Sequence, residues 1–146
     1  MAKECVIDTT VLQKANAPLL HRPRERSLFR KRLQLLRQIQ SGRLIALISE
    51  KLFSEYKEQL KAPRNDFVQA FFGLLQDPDR RTQNWAPWPS GRSEKARKCR
   101  YPEHDDHVLR TAIRPTPTTV FSEDTDMLKA DACIYRQFRV HIQQPA

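Results

Sequence analysis

The chain has 146 residues, the size of one ordinary domain, and 39% of them are apolar. Its 26 Lys and Arg residues outnumber its 17 Asp and Glu residues, so the formal net charge is +9. No apolar run approaches the roughly 18 to 20 residues of a membrane span, the N-terminus lacks a signal-peptide pattern, and three widely spaced cysteines predict neither a disulfide framework nor a zinc module. We therefore expect a cytoplasmic protein with no membrane partner.

The first predicted elements alternate between strand and helix. Residues 4–12 (ECVIDTTVL) are apolar and β-branched, which predicts a buried strand and the turn that ends it. Apolar residues at three- and four-residue spacings predict an amphipathic helix over residues 25–39, which Ser41 and Gly42 end. Residues 44–48 (LIALI) predict a second strand.

The next segments are helical and then irregular. Ser49 is placed to cap a helix that ends at Pro63, and Asn65 or Asp66 can cap the helix after it. Residues 79–101 are basic and contain several prolines, so we expect a long surface loop there, with at most a short strand near Trp85.

The last third of the chain predicts two more strands. They cover residues 118–121 (TTVF) and 140–142, and a short helix is expected between them, over residues 130–137. Strands separated by helices predict a parallel sheet covered on both faces. We therefore expect a single α/β domain over residues 1–146, with the basic loop of residues 79–101 inserted.

Positive charge is concentrated in two windows. Residues 22–43 carry a net charge of +7 and residues 80–100 one of +6, which leaves −4 for the rest of the chain. This pattern is found in Arg-rich helix faces and loops, and it is also what a polyanion partner such as nucleic acid requires. The candidate nucleic-acid-binding residues are Arg22, Arg24, Arg26, Arg30, Lys31, Arg92, Lys95, Arg97 and Lys98.

Carboxylates from four segments are predicted at one edge of the sheet, where the strands end. They are Asp8 after the first strand, Glu55 on the helix after the second, Asp105 and Asp106 at the start of a helix to about Ile113, and Asp124 and Asp126 after the TTVF strand. Parallel sheets bind ligands at this edge. Clustered carboxylates repel one another unless a cation joins them, and oxygen ligands suit one or two Mg²⁺ or Mn²⁺ ions. Such ions act on phosphates.

These acidic residues also have simpler interpretations. Asp105 and Asp106 can be helix caps, Asp126 can cap or end a turn, and Glu55 can be a solvated residue on a charged helix. Asp8 is the strongest functional candidate because a charge at the end of a buried strand needs a reason.

Four segments, in order, resemble the PIN-domain family of metal-dependent nucleases over essentially the whole chain. They are VIDTTVL (6–12), ISEKLFSEYKEQL (48–60), PEHDDHVLRTA (102–112) and VFSEDTDML (120–128). The resemblance implies Asp8, Glu55, Asp106 and Asp124 as catalytic metal ligands, with Asp105 as neighbour or substitute for Asp106, and Asp126 as a further ligand. Thr10 departs from the family, which usually has Asn or Ser two residues after the first aspartate.

The most similar subgroup is the VapC-like bacterial toxins of toxin–antitoxin pairs. This resemblance implies a Mg²⁺- or Mn²⁺-dependent endoribonuclease, a homodimer and an inhibiting antitoxin. The alternatives are a PIN-like module that binds nucleic acid without cutting it, and a structure-specific nuclease that acts on DNA. An intact acidic set favours catalysis, and the sequence does not separate RNA from DNA.

Two histidines and two tryptophans are weaker candidates for a functional role. His104 and His107 flank the Asp pair, but nothing else in the sequence completes a tetrahedral zinc set. Trp85 and Trp88 lie in the basic loop, where packing onto the domain is favoured over stacking on bases.

Overall fold

The computed structural model describes residues 3–16, 23–60, 66–85, 92–113 and 117–146. Arg22, Pro63, Asn65 and Trp88, which the sequence analysis singled out, lie outside these ranges. The elements in chain order are β1 (Lys3–Ile7), α1 (Thr9–Ala15), α2 (Pro23–Gln40), β2 (Leu44–Ile48), α3 (Glu50–Gln59), α4 (Asp66–Leu74), β3 (Arg81–Gln83), α5 (Arg92–Lys98), a 3-10 turn (Glu103–Asp105), α6 (Asp106–Ala112), β4 (Thr118–Phe121), α7 (Thr125–Lys129), α8 (Asp131–Phe138) and β5 (Val140–Gln143).

The five strands form one sheet in the order β3-β2-β1-β4-β5, and every neighbouring pair is parallel. This confirms the predicted α/β class with a central parallel sheet. The chain moves from β1 outwards through β2 to β3, then returns to place β4 on the other side of β1. The direction of winding therefore reverses between β1 and β4, and a crevice opens at such a switch point beyond the carboxyl ends of the strands.

Helices flank the sheet and complete the core. α2 packs on β2, α6 packs on β1, β2 and β4, and α8 packs on β5. The ends of the strands nearest the switch point are apolar and fully buried, as Ile7, Leu47 and Val120 show. Burial of each such side chain contributes roughly 1.5 to 3 kcal/mol. The strand ends that present the site are thus among the firmly packed parts of the molecule.

Local sequence signals explain where the central helices begin and end. Gly42 has a φ of 82°, the left-handed conformation that ends α2, and its N–H donates to Ile39 O at 3.1 Å. Ser49 occupies the N-cap of α3, and its Oγ accepts from Leu52 N at 3.2 Å. Both signals confirm the predicted boundaries.

Two details differ from the sequence prediction. The run at residues 4–12 leaves the sheet at Ile7, and helix α1 begins at Thr9, because Asp8 takes an extended N-cap conformation there. The basic stretch of residues 79–101 is not all loop, since it contains the helix α5. The short strand that the sequence allowed near Trp85 is β3, which pairs with β2.

The cysteine prediction was wrong. Cys99 and Cys133 form a disulfide with a Cα–Cα distance of 5.5 Å, while Cys5 is a buried free thiol. Their separation of 34 residues carried no signal, because the contact depends on α5 packing against α8. The expectation of a cytoplasmic location rested partly on unpaired cysteines, and it loses that support. No helix among the residues that the structure describes is long and apolar enough to cross a membrane.

Candidate metal centre

Asp8 lies at the carboxyl end of β1, beside the switch point. It occupies the N-cap position of α1, but its side chain makes no cap hydrogen bond. Its Oδ2 instead accepts from Thr10 Oγ1 at 2.7 Å and from Ser122 Oγ at 2.8 Å. Two hydroxyls therefore hold a buried carboxylate towards β4, and Thr10 supplies one of them.

Asp124 reaches the same place from the end of β4. Its Oδ1 caps α7 by accepting from Asp126 N at 2.8 Å and Met127 N at 3.2 Å. Ser122 ties this loop to Asp8, since its Oγ also accepts from Asp124 N at 3.1 Å. Asp126 is exposed on the first turn of α7, so the structure keeps Asp124 at the centre and Asp126 towards solvent.

The third segment contributes Asp105. This residue is 8% exposed and ends the 3-10 turn that precedes α6. It occupies the N-cap position of α6 without a side-chain cap hydrogen bond, so the helix-cap interpretation does not describe it. Asp106 is half-buried as the first residue of α6. The main chain of Asp105 is fixed from behind, because Tyr101 donates its hydroxyl to Asp105 O at 2.7 Å.

Glu55 joins the site from α3. Its Oε1 accepts from Thr9 Oγ1 at 2.6 Å, and its Oε2 pairs with Nε2 of His107. His107 is 5% exposed on α6, so this pair connects α3 and α6 across the sheet edge. The sequence analysis assigned no role to His107, because its burial beside Glu55 is not visible from the motif.

The carboxylates act on one another electrostatically. Burial raises the pKa of Asp8, and the charges of Glu55 and Asp124 raise it further against the opposing hydrogen bonds of Thr10 and Ser122. Burial, together with the charges of Asp8, Asp124 and Glu55, raises the pKa of Asp105 to about 6, while His104 opposes the increase. Burial also acts to raise the pKa of Glu55, but the hydrogen bonds from His107 and Thr9 outweigh it and lower that pKa.

One group of donor atoms is compact enough for a single ion. A nitrogen of His104 and one carboxylate oxygen each of Asp105 and Asp124 lie within 4.8 Å of one another. Within the described ranges, Asp105 Oδ2 is a buried oxygen without a hydrogen-bond donor. A buried carboxylate oxygen without a donor, with the charges of Asp8 and Asp124 close by, fits a divalent cation, which supplies the missing positive charge.

No protein-family model, curated protein or solved structure matches the chain. The interpretation of the centre therefore rests on its own geometry and on the motif resemblance.

A buried ion pair supports the centre from α2. Arg32 donates from Nε and Nη2 to both carboxylate oxygens of Glu123, each at 2.6 Å. Glu123 precedes Asp124, and its N–H donates to Thr10 Oγ1 at 3.1 Å. The pair therefore fixes the loop after β4 and the Thr10 hydroxyl together. No local sequence signal predicts this pair, because the partners are 91 residues apart.

The predicted nucleic-acid-binding residues that are described lie on α2 and α5. On α2, the side chains of Arg24, Arg26, Arg30 and Lys31 are exposed, and on α5 those of Lys95, Arg97 and Lys98 are exposed. Arg92 is placed only by its backbone, as the first residue of α5, and Arg22 lies outside the described residues. Among the described residues of the first window, Arg32 is buried and pairs with Glu123 in the loop that carries Asp124.

Trp85 follows β3 and is 41% exposed. The guanidinium carbon of Arg110 lies 3.9 Å from the centre of its ring, in a cation–π arrangement. Neighbouring Asn84 is anchored, since its Nδ2 donates to the backbone oxygen of Thr111. The indole therefore packs on a cation of α6 while one part of it remains accessible.

Proposed function

We propose that the protein is a divalent-metal-dependent nuclease that hydrolyses the phosphodiester bonds of RNA. The observation that carries the proposal is the burial of Asp8 and Asp105 beside Asp124 at the switch point of a parallel sheet. Asp8 and Asp105 stand at helix N-cap positions without capping, so stabilising a helix does not explain either carboxylate. A divalent cation bound by them does.

The chain's own residues would hold and orient the ion. Asp8, Asp105 and Asp124 are the proposed ligands, with Glu55 at the border of the site, where Mg²⁺ or Mn²⁺ would supply activation of a water and neutralisation of charge on the phosphate. Thr10 and Ser122 orient Asp8, and the pair of His107 with Glu55 keeps that carboxylate charged.

The basic surfaces of α2 and α5 would bind the phosphate backbone of the substrate. Exposed Arg and Lys side chains of α2 and α5 attract phosphates irrespective of sequence. Arg32 of α2 contacts the loop that carries Asp124, so the helix with the exposed basic side chains is in direct contact with a segment of the metal centre. The acidic centre and the basic margin therefore belong to one proposed reaction.

The resemblance to bacterial toxins extends the proposal to a physiological role. On that basis the protein would be the toxin of a toxin–antitoxin pair, would form a homodimer and would be inhibited by its antitoxin. The test is co-expression with the product of any short reading frame immediately upstream. Loss of the nuclease activity and co-purification of the two products would support the role, and independent behaviour would contradict it.

The nuclease proposal is tested with end-labelled RNA and DNA of the same sequence, incubated with Mn²⁺ or with EDTA. We expect RNA cleavage with Mn²⁺ only, and Asp8→Asn should lower the rate at least about a hundredfold, because it removes a buried charge that no other group replaces. Binding of the RNA should persist in Asp8→Asn.

Asp79→Asn is the matched control, since Asp79 is exposed in the turn after α4 and its loss should leave the rate unchanged. Cleavage of DNA alone would assign the alternative substrate. RNA binding without cleavage by the wild-type protein would indicate the non-catalytic module, and equal cleavage by wild type and Asp8→Asn would contradict the assignment of the centre.

A further inference from the structure

The centre contains a nitrogen donor that an all-carboxylate site lacks. His104 is in the 3-10 turn directly before Asp105, and its Nε2 lies 3.3 Å from Asp105 Oδ2. The same donor group includes a carboxylate oxygen of Asp124, with all three ligand atoms within 4.8 Å of one another. Three donors from two segments thus converge on a volume that suits one ion.

The two histidines of the HDDH sequence have different surroundings. His107 is buried and its Nε2 contacts the Glu55 carboxylate, so its ring faces α3 and lies outside the donor group of Asp105 and Asp124. The His104 side chain is 79% exposed, although its Nε2 lies close to the buried Asp105 carboxylate. Only His104 has a ring nitrogen in the group of donors that face one another.

Asp105 independently indicates a cation at this position. The residue is 8% exposed, and its Oδ2 is buried without a hydrogen-bond donor in the part of the chain that is described. The contact with His104 at 3.3 Å is close but lacks hydrogen-bond geometry. A buried carboxylate oxygen in this state is costly, and a cation shared with the neighbouring imidazole removes the cost.

The donor types decide which ions suit the site. Mg²⁺ prefers oxygen ligands and retains its waters, whereas imidazole nitrogen is a good ligand for first-row transition ions. We propose that His104 Nε2 is a metal ligand together with Asp105 and Asp124, and that this nitrogen makes the centre select Mn²⁺ and related transition ions over Mg²⁺. The inference rests on the metal centre of the proposed function, but not on its nuclease activity.

The test uses the full chain with Mn²⁺ alone as the probe, and it needs no substrate. Pulsed EPR of the Mn²⁺-loaded protein should show hyperfine coupling to an imidazole nitrogen, and His104→Asn should abolish it. The same substitution should weaken Mn²⁺ binding by at least about tenfold, as the loss of even an outer-shell partner does. Mg²⁺ affinity, measured by competition, should change much less.

His141→Asn is the matched control, because His141 is exposed on β5 and lies outside the donor group. It should retain both the nitrogen coupling and the Mn²⁺ affinity. His104 is exposed, so His104→Asn should keep the wild-type melting temperature in EDTA, which separates ligand loss from misfolding.

The outcomes separate this inference from the proposed function. Mn²⁺ binding without nitrogen coupling, or coupling that survives His104→Asn, would overturn the role of His104 and leave a carboxylate-only centre. Absence of Mn²⁺ binding would overturn both the inference and the metal-dependent nuclease. Nitrogen-coupled Mn²⁺ with no cleavage of RNA or DNA would support the ligand assignment and contradict the nuclease.

Discussion

At the scale of single residues, Asp8 and Asp105 are unusual because each stands where a helix starts and neither caps it. An aspartate at an N-cap normally accepts from the first turn and stabilises the helix. Asp124 does so, whereas Asp8 accepts from two hydroxyls and Asp105 Oδ2 is without a donor in the described residues. Of the three aspartates at helix N-caps, Asp8 and Asp105 therefore do not stabilise the helices that follow them.

The carboxylate of Asp105 gives a pH-dependent prediction for the metal-free protein. Its pKa is raised from 3.8 to about 6, so the folded state holds this proton more tightly than the unfolded state does. The stability that this proton contributes is complete below the unfolded pKa and is lost as the pH rises through about 6. Asp105→Asn removes the ionisation, and it should therefore be more stable than wild type at pH 7 by about 1 to 3 kcal/mol.

The measurement is chemical denaturation of both proteins in EDTA between pH 4 and pH 8, with Asp79→Asn as the exposed control. The advantage of Asp105→Asn should grow across this range, and the control should stay within about 0.5 kcal/mol of wild type throughout. A constant difference between Asp105→Asn and wild type, or one that shrinks with pH, would contradict the burial of an uncompensated charge.

At the scale of elements, the pair of Arg32 and Glu123 joins α2 to the loop after β4. Both side chains are nearly buried, with exposed fractions of 10% and 4%. Removing one partner of a buried pair leaves the other charge buried without a partner. Arg32→Met should therefore destabilise the fold by about 3 to 5 kcal/mol. The double variant Arg32→Met, Glu123→Gln should recover part of this loss.

Thermal or urea unfolding measures the effect, and Arg30→Met is the matched control because Arg30 is exposed on the same helix. Arg30→Met should be nearly neutral in stability. If Arg32→Met were equally neutral, the pair would not hold the loop, and the proposed support for Asp124 would fail.

The elements also show what the sequence could and could not predict. The β-branched run TTVF coincides with β4, and LIALI with β2, because buried parallel strands need continuous apolar residues. The segments that bring Asp8 and Asp124 to one edge follow from those strands. The sequence could not decide whether Asp105 or Asp106 faces the site. That depends on where the 3-10 turn passes into α6, because neighbouring residues there face different surroundings.

Contacts between distant segments were beyond the reach of the sequence. Periodicity and capping signals report local conformation, whereas the pairs Arg32–Glu123 and Cys99–Cys133 depend on which helices and loops become neighbours. The closeness of His104 to Asp124 is of the same kind. The sequence therefore indicated that Asp8 and Asp124 share one edge of the sheet, but it favoured Asp106 over Asp105 and did not predict the contacts around them.

At the scale of the whole molecule, the disulfide of Cys99 and Cys133 closes a loop that contains the 3-10 turn, α6, β4 and α7. A cross-link across 34 residues lowers the conformational entropy of the unfolded chain. This stabilises the folded state by about 3 to 4 kcal/mol. Reduction with a dithiol should therefore lower the melting temperature of the oxidised protein. The variant Cys99→Ser, Cys133→Ser should melt at the lower temperature and be insensitive to the reductant.

Calorimetry with and without the dithiol measures this effect. The buried free thiol Cys5 is present in both proteins, so any response that remains in the double variant is not due to the disulfide. Equal melting temperatures of oxidised and reduced wild-type protein would contradict a stabilising cross-link between α5 and α8.

The nuclease proposal requires that the carboxylates at the switch point bind a divalent cation. Its most direct test is the anomalous difference map of a crystal grown with Mn²⁺. We expect an anomalous peak in contact with Asp105 and Asp124 and next to Asp8, and no peak there in crystals of Asp105→Asn. A map of the wild-type crystal without a peak at this edge of the sheet would contradict metal binding by these carboxylates.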